Sequence, residues 1–278
     1  MSRTWFITGT SSGFGLEMTE RLLERGDRVA ATLRKPEVLQ SLKARYGDRL
    51  WLAQLDVTGA NDVRRVIDSA FAELGQINVV VSNAGYGLAG AAEELSDEQI
   101  VRQINTNVIG SMNVIRAALP HLRQQGGGRI LQLSSMGGQV TFPGLSLYHT
   151  SKFAMEGFIE AVAQEVAEFS IDFTLVEPGT AQTDFTRGLV MAEPLPAYEN
   201  TGMRKLLENW PNVGDAKKMV QAMIASVDQY PAPRRLTLGS DAYTLGSDAY
   251  TLVHAALTER IAALEAQKGI AFSTDITG

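Results

Sequence analysis

What most restricts this chain is an alternation. Six short, nearly continuous apolar runs, TWFITG, DRVAATL, RLWLAQLDV, INVVVSNAG, GRILQLSS and IDFTLVEPG, are separated by longer amphipathic stretches. A strand buried on both faces reads as an unbroken apolar run, because neither side of its pleat meets water. Parallel neighbours need a long crossover, which a helix supplies. The alternation therefore predicts a parallel sheet with helices on both faces. RRLTLG, at Arg234 to Gly239, is a seventh strand candidate, and LVHAALTERIAALEAQ reads as a strong amphipathic C-terminal helix. No composition shift before about residue 180 marks a linker, so one domain over 1–278 is expected.

Residues 183–213 break the pattern. Pro194, Pro196 and Pro211 fall there, with several aromatics and weak periodicity. A long irregular segment in a compact domain is usually functional, and this one reads as a substrate lid with one or two short helices. After it, GDAKKMVQAMIASV reads as a helix with Asp215 as N-cap.

Composition removes several function classes. A net charge of −6 gives phosphate backbones and anionic membrane surfaces no basic face, so no nucleic acid and no membrane is expected as partner. With no cysteine there is no disulfide, thiolate metal site or cysteine nucleophile. His121, His149 and His254 have no metal-ligand spacing, so no metal is expected. MSRTWFITG enters a strand pattern at once, without a signal-peptide pattern, and no run reaches membrane-spanning length. A cytoplasmic protein is the expectation.

The first strand runs into Gly9, Thr10, Ser11, Ser12, Gly13, Phe14 and Gly15, and a helix follows. Glycines there let the backbone turn tightly and approach a pyrophosphate, whose charge suits a helix N-terminus. The bland alternative is a tight turn with no ligand. The next strand ends at Leu33 and Arg34. Where many NAD-binding folds carry an acid for the ribose 2′-hydroxyl, this chain has leucine and then arginine. A guanidinium suits a 2′-phosphate, so NADP(H) is expected over NAD(H).

In YHTSK, Tyr148 and Lys152 stand at i and i+4, on one helix face. A nearby ammonium favours the phenolate and so lowers a tyrosine pKa from about 10 toward a working acid–base range. Alone the pattern is common by chance. Ser135 lies at the end of GRILQLSS, Asn107 in INTNVIG, and SNAG ends its strand. Together with TGTSSGFG these elements resemble the compact form of the short-chain dehydrogenase/reductase family, in order and spacing, from Thr8 to Thr183.

The resemblance implies a single doubly wound, Rossmann-type α/β domain with a seven-stranded parallel sheet. It implies hydride transfer between a nicotinamide and a carbonyl or alcohol. Tyr148 then exchanges a proton with the substrate oxygen, Ser135 hydrogen-bonds that oxygen, Lys152 tunes Tyr148 and holds the nicotinamide ribose, and Asn107 anchors a water leading from Lys152 to solvent. Asp56, with Val57 after it, is similar to the family's adenine contact. Asn83, Ala84 and Gly85 shape the cofactor cleft, and Pro178, Gly179 and Thr183 lie beside the nicotinamide. Spacing favours Ser135 over Ser134, which reads as structural; His149 reads as packing or surface.

The segment RRLTLGSDAY and a long terminal helix, with YHTSKFAMEGF, resemble the branch called 17β-hydroxysteroid-dehydrogenase-like. Homo-oligomers are the family expectation, here a dimer. Thr237 to Tyr243, TLGSDAY, is repeated without mismatch as Thr244 to Tyr250. Two seven-residue copies make no solenoid. An in-frame duplication, recent or engineered, fits instead. Either Ser240 caps a lengthened terminal helix, with Gly246 inside it, or Ser247 caps; the longer helix is the expectation. Tyr86, Leu88, Met136, Phe142, Leu145, Leu189 and Met191 should wall the substrate site, which points to a hydrophobic ketone, aldehyde or secondary alcohol. The rival readings are a nicotinamide-binding sensor or scaffold without turnover, and an NAD-dependent alcohol dehydrogenase.

Overall fold

The structure is a computed structural model that describes residues 2–181, 188–208, 214–239 and 249–267. Seven parallel strands form the main sheet: β1 (Thr4–Thr8), β2 (Arg28–Leu33), β3 (Leu50–Gln54), β4 (Val79–Ser82), β6 (Gly128–Leu133), β7 (Ile171–Pro178) and β9 (Arg235–Leu238), in the order β3-β2-β1-β4-β6-β7-β9. All six neighbouring pairs are parallel. Two short strands, β5 (Leu88–Ala89) and β8 (Val190–Met191), pair beside the main sheet.

The pleat explains why the runs are apolar throughout. In β1, Trp5 and Ile7 point into one core, with Met18, Leu22 and Leu23 of α1 (Gly13–Arg25) and Met219, Val220 and Met223 of α8 (Ala216–Ser226). Phe6 points into the other, with α3 (Ala60–Leu74), α5 (Ser111–Gln124) and α6 (Ser146–Glu165). Each strand thus feeds two cores, and the expected doubly wound α/β architecture is present.

The strand order reverses between β1 and β4: the chain first builds outward to β3, then returns to add β4 on the other side. Open α/β sheets hold ligands beyond the strand C-termini at such a point. Asp215 caps α8, accepting from the backbone N–H groups of Lys217 and Lys218 at 2.9 and 3.1 Å, as its sequence position predicts.

Of the lid region, the described part holds α7 (Gly202–Glu208) and a short helical turn at Pro196–Tyr198. The Glu94 carboxylate ties it down, accepting from Leu195 N at 3.0 Å and Arg204 Nη2 at 2.7 Å. The terminal helix α9 (Ala249–Ala266) buries Val253 but leaves Leu257, Ile261 and Leu264 exposed, so its inward face is narrower than the sequence pattern suggests. Ser240, Gly246 and Ser247 lie outside the described residues, as does the choice between the two caps. The remaining α-helices among the described residues are α2 (Gln40–Tyr46) and α4 (Asp97–Ile104), the latter continuing as a wider π-type turn over Asn105–Gly110.

Candidate active site

A cleft of about 860 Å³ opens over the C-terminal ends of the central strands. At one end lies the glycine turn. Gly9 has φ +71°, and a Cβ there would come within 2.9 Å of Ala84 Cα. A Cβ on Gly15 would sit 2.4 Å from the Gly9 carbonyl oxygen, so only glycine lets α1 start against the turn. Ser12, the N-cap of α1, makes no side-chain cap bond, and the first helical turn carries no acidic residue. The helix therefore presents open N–H groups and an uncompensated positive dipole end to the cleft. That is a fit for a pyrophosphate.

The SNAG segment is the buttress. Asn83 Nδ2 donates to the carbonyls of Thr8 and Gly9 at 2.8 and 3.1 Å, and the N–H groups of Asn83 and Ala84 both donate to Thr8 Oγ1 at 3.0 Å. These bonds lock the ends of β1 and β4 together at the switch point. Arg34 and Asp56 line the same end. Burial raises the Asp56 pKa, but the Thr58 N–H and hydroxyl, with Arg34 and Arg102 nearby, outweigh it and hold the carboxyl below its ordinary value.

At the other end, α6 carries Tyr148 and Lys152 on one face, as their spacing predicts. Tyr148 is 9% exposed and shares a side-chain hydrogen bond with Ser135. Burial pushes the Tyr148 pKa up to about 12, against that bond. Lys152 Nζ donates to the Leu133 carbonyl at 2.9 Å and lies 5.5 Å from the Tyr148 ring centre. Burial pulls the Lys152 pKa down to about 8, and the charge of Glu156 opposes it. The expected lowering of the tyrosine by its lysine is overridden here by desolvation of both groups.

The two serines part company. Ser135 Oγ accepts from Gly137 N at 3.0 Å and meets Tyr148, whereas Ser134 Oγ donates into the buried carboxylate of Glu156. His149 is buried packing. Its Nε2 accepts from Phe142 N at 2.9 Å, so Nδ1 must carry the proton it gives to the Gly137 carbonyl at 2.8 Å. Burial, the leading cause, lowers its pKa and favours this neutral form. The imidazole thus staples the turn that joins Ser135 to Tyr148.

Most of the residues singled out in the sequence line the cleft: Gly9, Ser11, Ser12, Gly13, Phe14, Arg34, Asp56, Val57, Asn83, Ala84, Gly85, Ser135, Tyr148, Lys152, Pro178 and Gly179. Three lie behind the wall. Thr10 is fully buried and bonded to the Thr32 carbonyl at 3.2 Å, and Gly15 is inside α1. Asn107 accepts from Tyr86 N at 3.1 Å and donates to Tyr86 O and Ser151 Oγ at 2.9 and 3.1 Å, bracing the loop after β4 against α6. Thr183 lies outside the described residues. Tyr86, Met136, Phe142, Leu145, Leu189 and Met191 form the apolar wall. Leu88 does not: it is 1% exposed inside β5, because the strand turns it into the core. Arg102 and Leu207 also line the cleft and had no sequence signal beyond an ordinary helical position. No group of His, Asp and Glu among the described residues could hold a metal, and no described helix is long and apolar enough to cross a membrane.

The short chain dehydrogenase family profile matches residues 3–193. The oxidoreductase BOA17 of Botryotinia fuckeliana is 38% identical over 248 residues, covering 87% of this chain and 90% of that protein. A 3-ketodihydrosphingosine reductase of Bacteroides thetaiotaomicron is 39% identical over 180 residues, 65% of this chain and 64% of its own. Among solved structures, a short-chain dehydrogenase from Streptomyces avermitilis superposes with a TM-score of 0.88 at 34% identity, covering 99% of this chain and 100% of its own. The closed form of a serine dehydrogenase complexed with NADP+ gives 0.73 at 27% identity, covering 84% and 94%. The chain belongs to the short-chain dehydrogenase family and is an oxidoreductase of that type.

Proposed function

We propose that the protein moves a hydride between NADP(H) and a hydrophobic ketone or aldehyde, or the matching secondary alcohol, with Tyr148 as general acid and base. The observation that carries this reading is the meeting of Ser135, Tyr148 and Lys152 at the apolar end of a cleft whose other end is an uncapped helix N-terminus.

The nicotinamide supplies or accepts the hydride; the rest is the work of the chain. In reduction the Tyr148 hydroxyl, kept protonated by burial, gives its proton to the carbonyl oxygen as that oxygen gains charge. Ser135 donates a hydrogen bond to the same oxygen. The Lys152 ammonium stabilises the phenolate left behind. In oxidation the proton returns to Tyr148 from the alcohol. Asn107 holds the loop at Tyr86 against α6 and anchors the water that leads protons from Lys152 to solvent.

The turn from Gly9 to Gly13 and the start of α1 would hold the pyrophosphate, and Arg34 would pair with a 2′-phosphate. Support for NADP(H) is the buried Leu33 where an acid would be needed, the exposed Arg34 beside it, and the NADP+ complex of the serine dehydrogenase relative. Support for a hydrophobic ketone is the wall of Phe142, Leu145, Leu189, Met191 and Leu207, together with a relative named for a keto substrate.

The test follows NADPH oxidation with hydrophobic ketones and aldehydes, comparing the native chain with Tyr148→Phe at saturating cofactor. Turnover should fall by at least about 100-fold in the variant while NADPH binding persists. NADPH binding without turnover in the native chain would instead support a sensor.

A further inference from the structure

One helical turn beyond Lys152, α6 carries Glu156, whose side chain is 7% exposed. It does not line the cleft, and the chemistry above makes no use of it. Its carboxylate accepts from Ser134 Oγ, from Gln139 Nε2 at 3.1 Å and from Arg235 Nη2 at 3.0 Å. The same Gln139 amide donates to Glu177 Oε1 at 3.2 Å, and Glu177 accepts from Thr237 Oγ1 at 2.9 Å. Arg235 Nε lies 3.0 Å from Glu177, and its Nη2 also reaches Glu160. The turn itself is shaped for this carboxylate: a Cβ on Gly138 would sit 2.9 Å from both Glu156 Oε1 and Ser134 Oγ.

Two buried carboxylates share one guanidinium here. Burying charge without full compensation is costly, and an apolar core would be cheaper. The other cation near them is Lys152, part-buried in the cleft wall, whose protonated form Glu156 favours. Arg235 and Lys152 are thus the part-buried cations about these two carboxylates, with Glu160 half-exposed at the edge. Among the described residues no other charged group is bonded to Glu156; Arg260 of α9 gives its hydrogen bond to the Gln139 carbonyl at 2.9 Å and lies over the Phe153 ring.

We propose that Glu156 is a positioning residue for the reaction: it fixes Ser134, and so the turn bearing Ser135, and supplies negative charge one helical turn from the Lys152 ammonium. The inference rests on Ser135, Tyr148 and Lys152 being the reacting groups. Ser134 is adjacent to Ser135, so holding its hydroxyl sets the exit of β6. Losing the carboxylate charge makes the Lys152 ammonium harder to keep, which should move the alkaline fall of reductive activity to lower pH. Glu156 itself titrates in the working range, since burial raises its pKa to about 7 against the bonds from Ser134 and Arg235.

The experiment uses the full chain and measures kcat, KM and NADPH affinity from about pH 6 to about pH 9. Glu156→Gln should lower kcat roughly 10-fold, leave KM and NADPH affinity near native values, and shift the alkaline limb down by about one pH unit. Glu156→Asp, which keeps the charge, should bring the limb back toward its native place. Ser134→Ala should lower kcat a few-fold without moving the limb. A native limb and native kcat in Glu156→Gln overturn the inference. If that variant does not fold, a native kcat in Ser134→Ala together with a shifted limb in Glu156→Asp overturns it. Tyr148→Phe is run alongside: retained turnover there overturns the site assignment, whereas an inactive Tyr148→Phe with an unaffected Glu156→Gln overturns this inference alone.

Discussion

Lys152 Nζ lies 5.5 Å from the centre of the Tyr148 ring and gives a hydrogen bond to the Leu133 carbonyl at 2.9 Å. The pair sits in a wall where desolvation dominates, so the phenol is a donor at neutral pH and the ammonium is poised to lose its proton near pH 8. The two directions of reaction should therefore respond oppositely to pH. Reduction needs protonated Tyr148 and protonated Lys152, and its kcat should decline as pH passes about 8. Oxidation needs a proton acceptor at Tyr148, and its kcat should climb through neutral pH. Parallel pH profiles in both directions would read the crossing; profiles of the same sign would contradict it.

Arg34 should decide the cofactor. It is exposed at the cleft end while its neighbour Leu33 is buried. A charged hydrogen-bond partner for a phosphate contributes about 1.5–3 kcal/mol, or roughly 10- to 100-fold in affinity. Arg34→Ala should raise the KM for NADPH by that factor and leave that for NADH nearly unchanged. Equal effects on both cofactors would count against a 2′-phosphate contact.

Much of this was legible in the sequence because the informative features are local. The strand runs, the glycine turn and the Tyr148–Lys152 spacing each depend on neighbours a few residues away. What escaped depends on contacts across the sheet. The charge of Glu156 joins Gln139, Glu177 and Arg235 only because α6, β7 and β9 pack together. Leu88 looks like a wall residue from its position after SNAG, yet β5 pairing with β8 turns it inward. The upward shift of Tyr148 is not legible in the sequence, because spacing reveals a neighbouring charge but not the depth of burial.

Glu156 should also leave a mark on stability. Burial raises its folded pKa from 4.5 to about 7. A group raised in this way holds its proton longer folded than unfolded, so its contribution is complete below about pH 4.5 and is lost as pH rises through about 7. The shift corresponds to an effect on the order of 3 kcal/mol. Cofactor-free native protein should lose melting temperature between pH 5 and pH 7 more steeply than Glu156→Gln, which cannot titrate there. Thermal melts of the two proteins at both pH values check this, and parallel slopes would exclude Glu156 as the source.

Removing one copy of TLGSDAY, residues 244–250, should spare the chemistry and alter the substrate site. Thr237, which bonds Glu177, belongs to the first copy and stays in place. What changes is the length of chain leading to α9, and α9 bears on the catalytic turn. Val253 packs with Met136 and Val140, beside Phe142, and Arg260 holds the Gln139 carbonyl at 2.9 Å. The residues of α9 that meet that turn, Val253 and Arg260, follow the deleted copy and are kept. Tyr148 and Lys152 are fixed from α6 and do not depend on α9. The deletion should keep kcat within about 10-fold of native, a difference near 1.4 kcal/mol, while KM for hydrophobic ketones moves as Phe142 and Met136 resettle. Size-exclusion chromatography alongside the kinetics would register any new partner for the exposed Leu257, Ile261 and Leu264. A folded deletion variant that binds NADPH but has lost turnover would show that the repeated segment holds the catalytic turn in register.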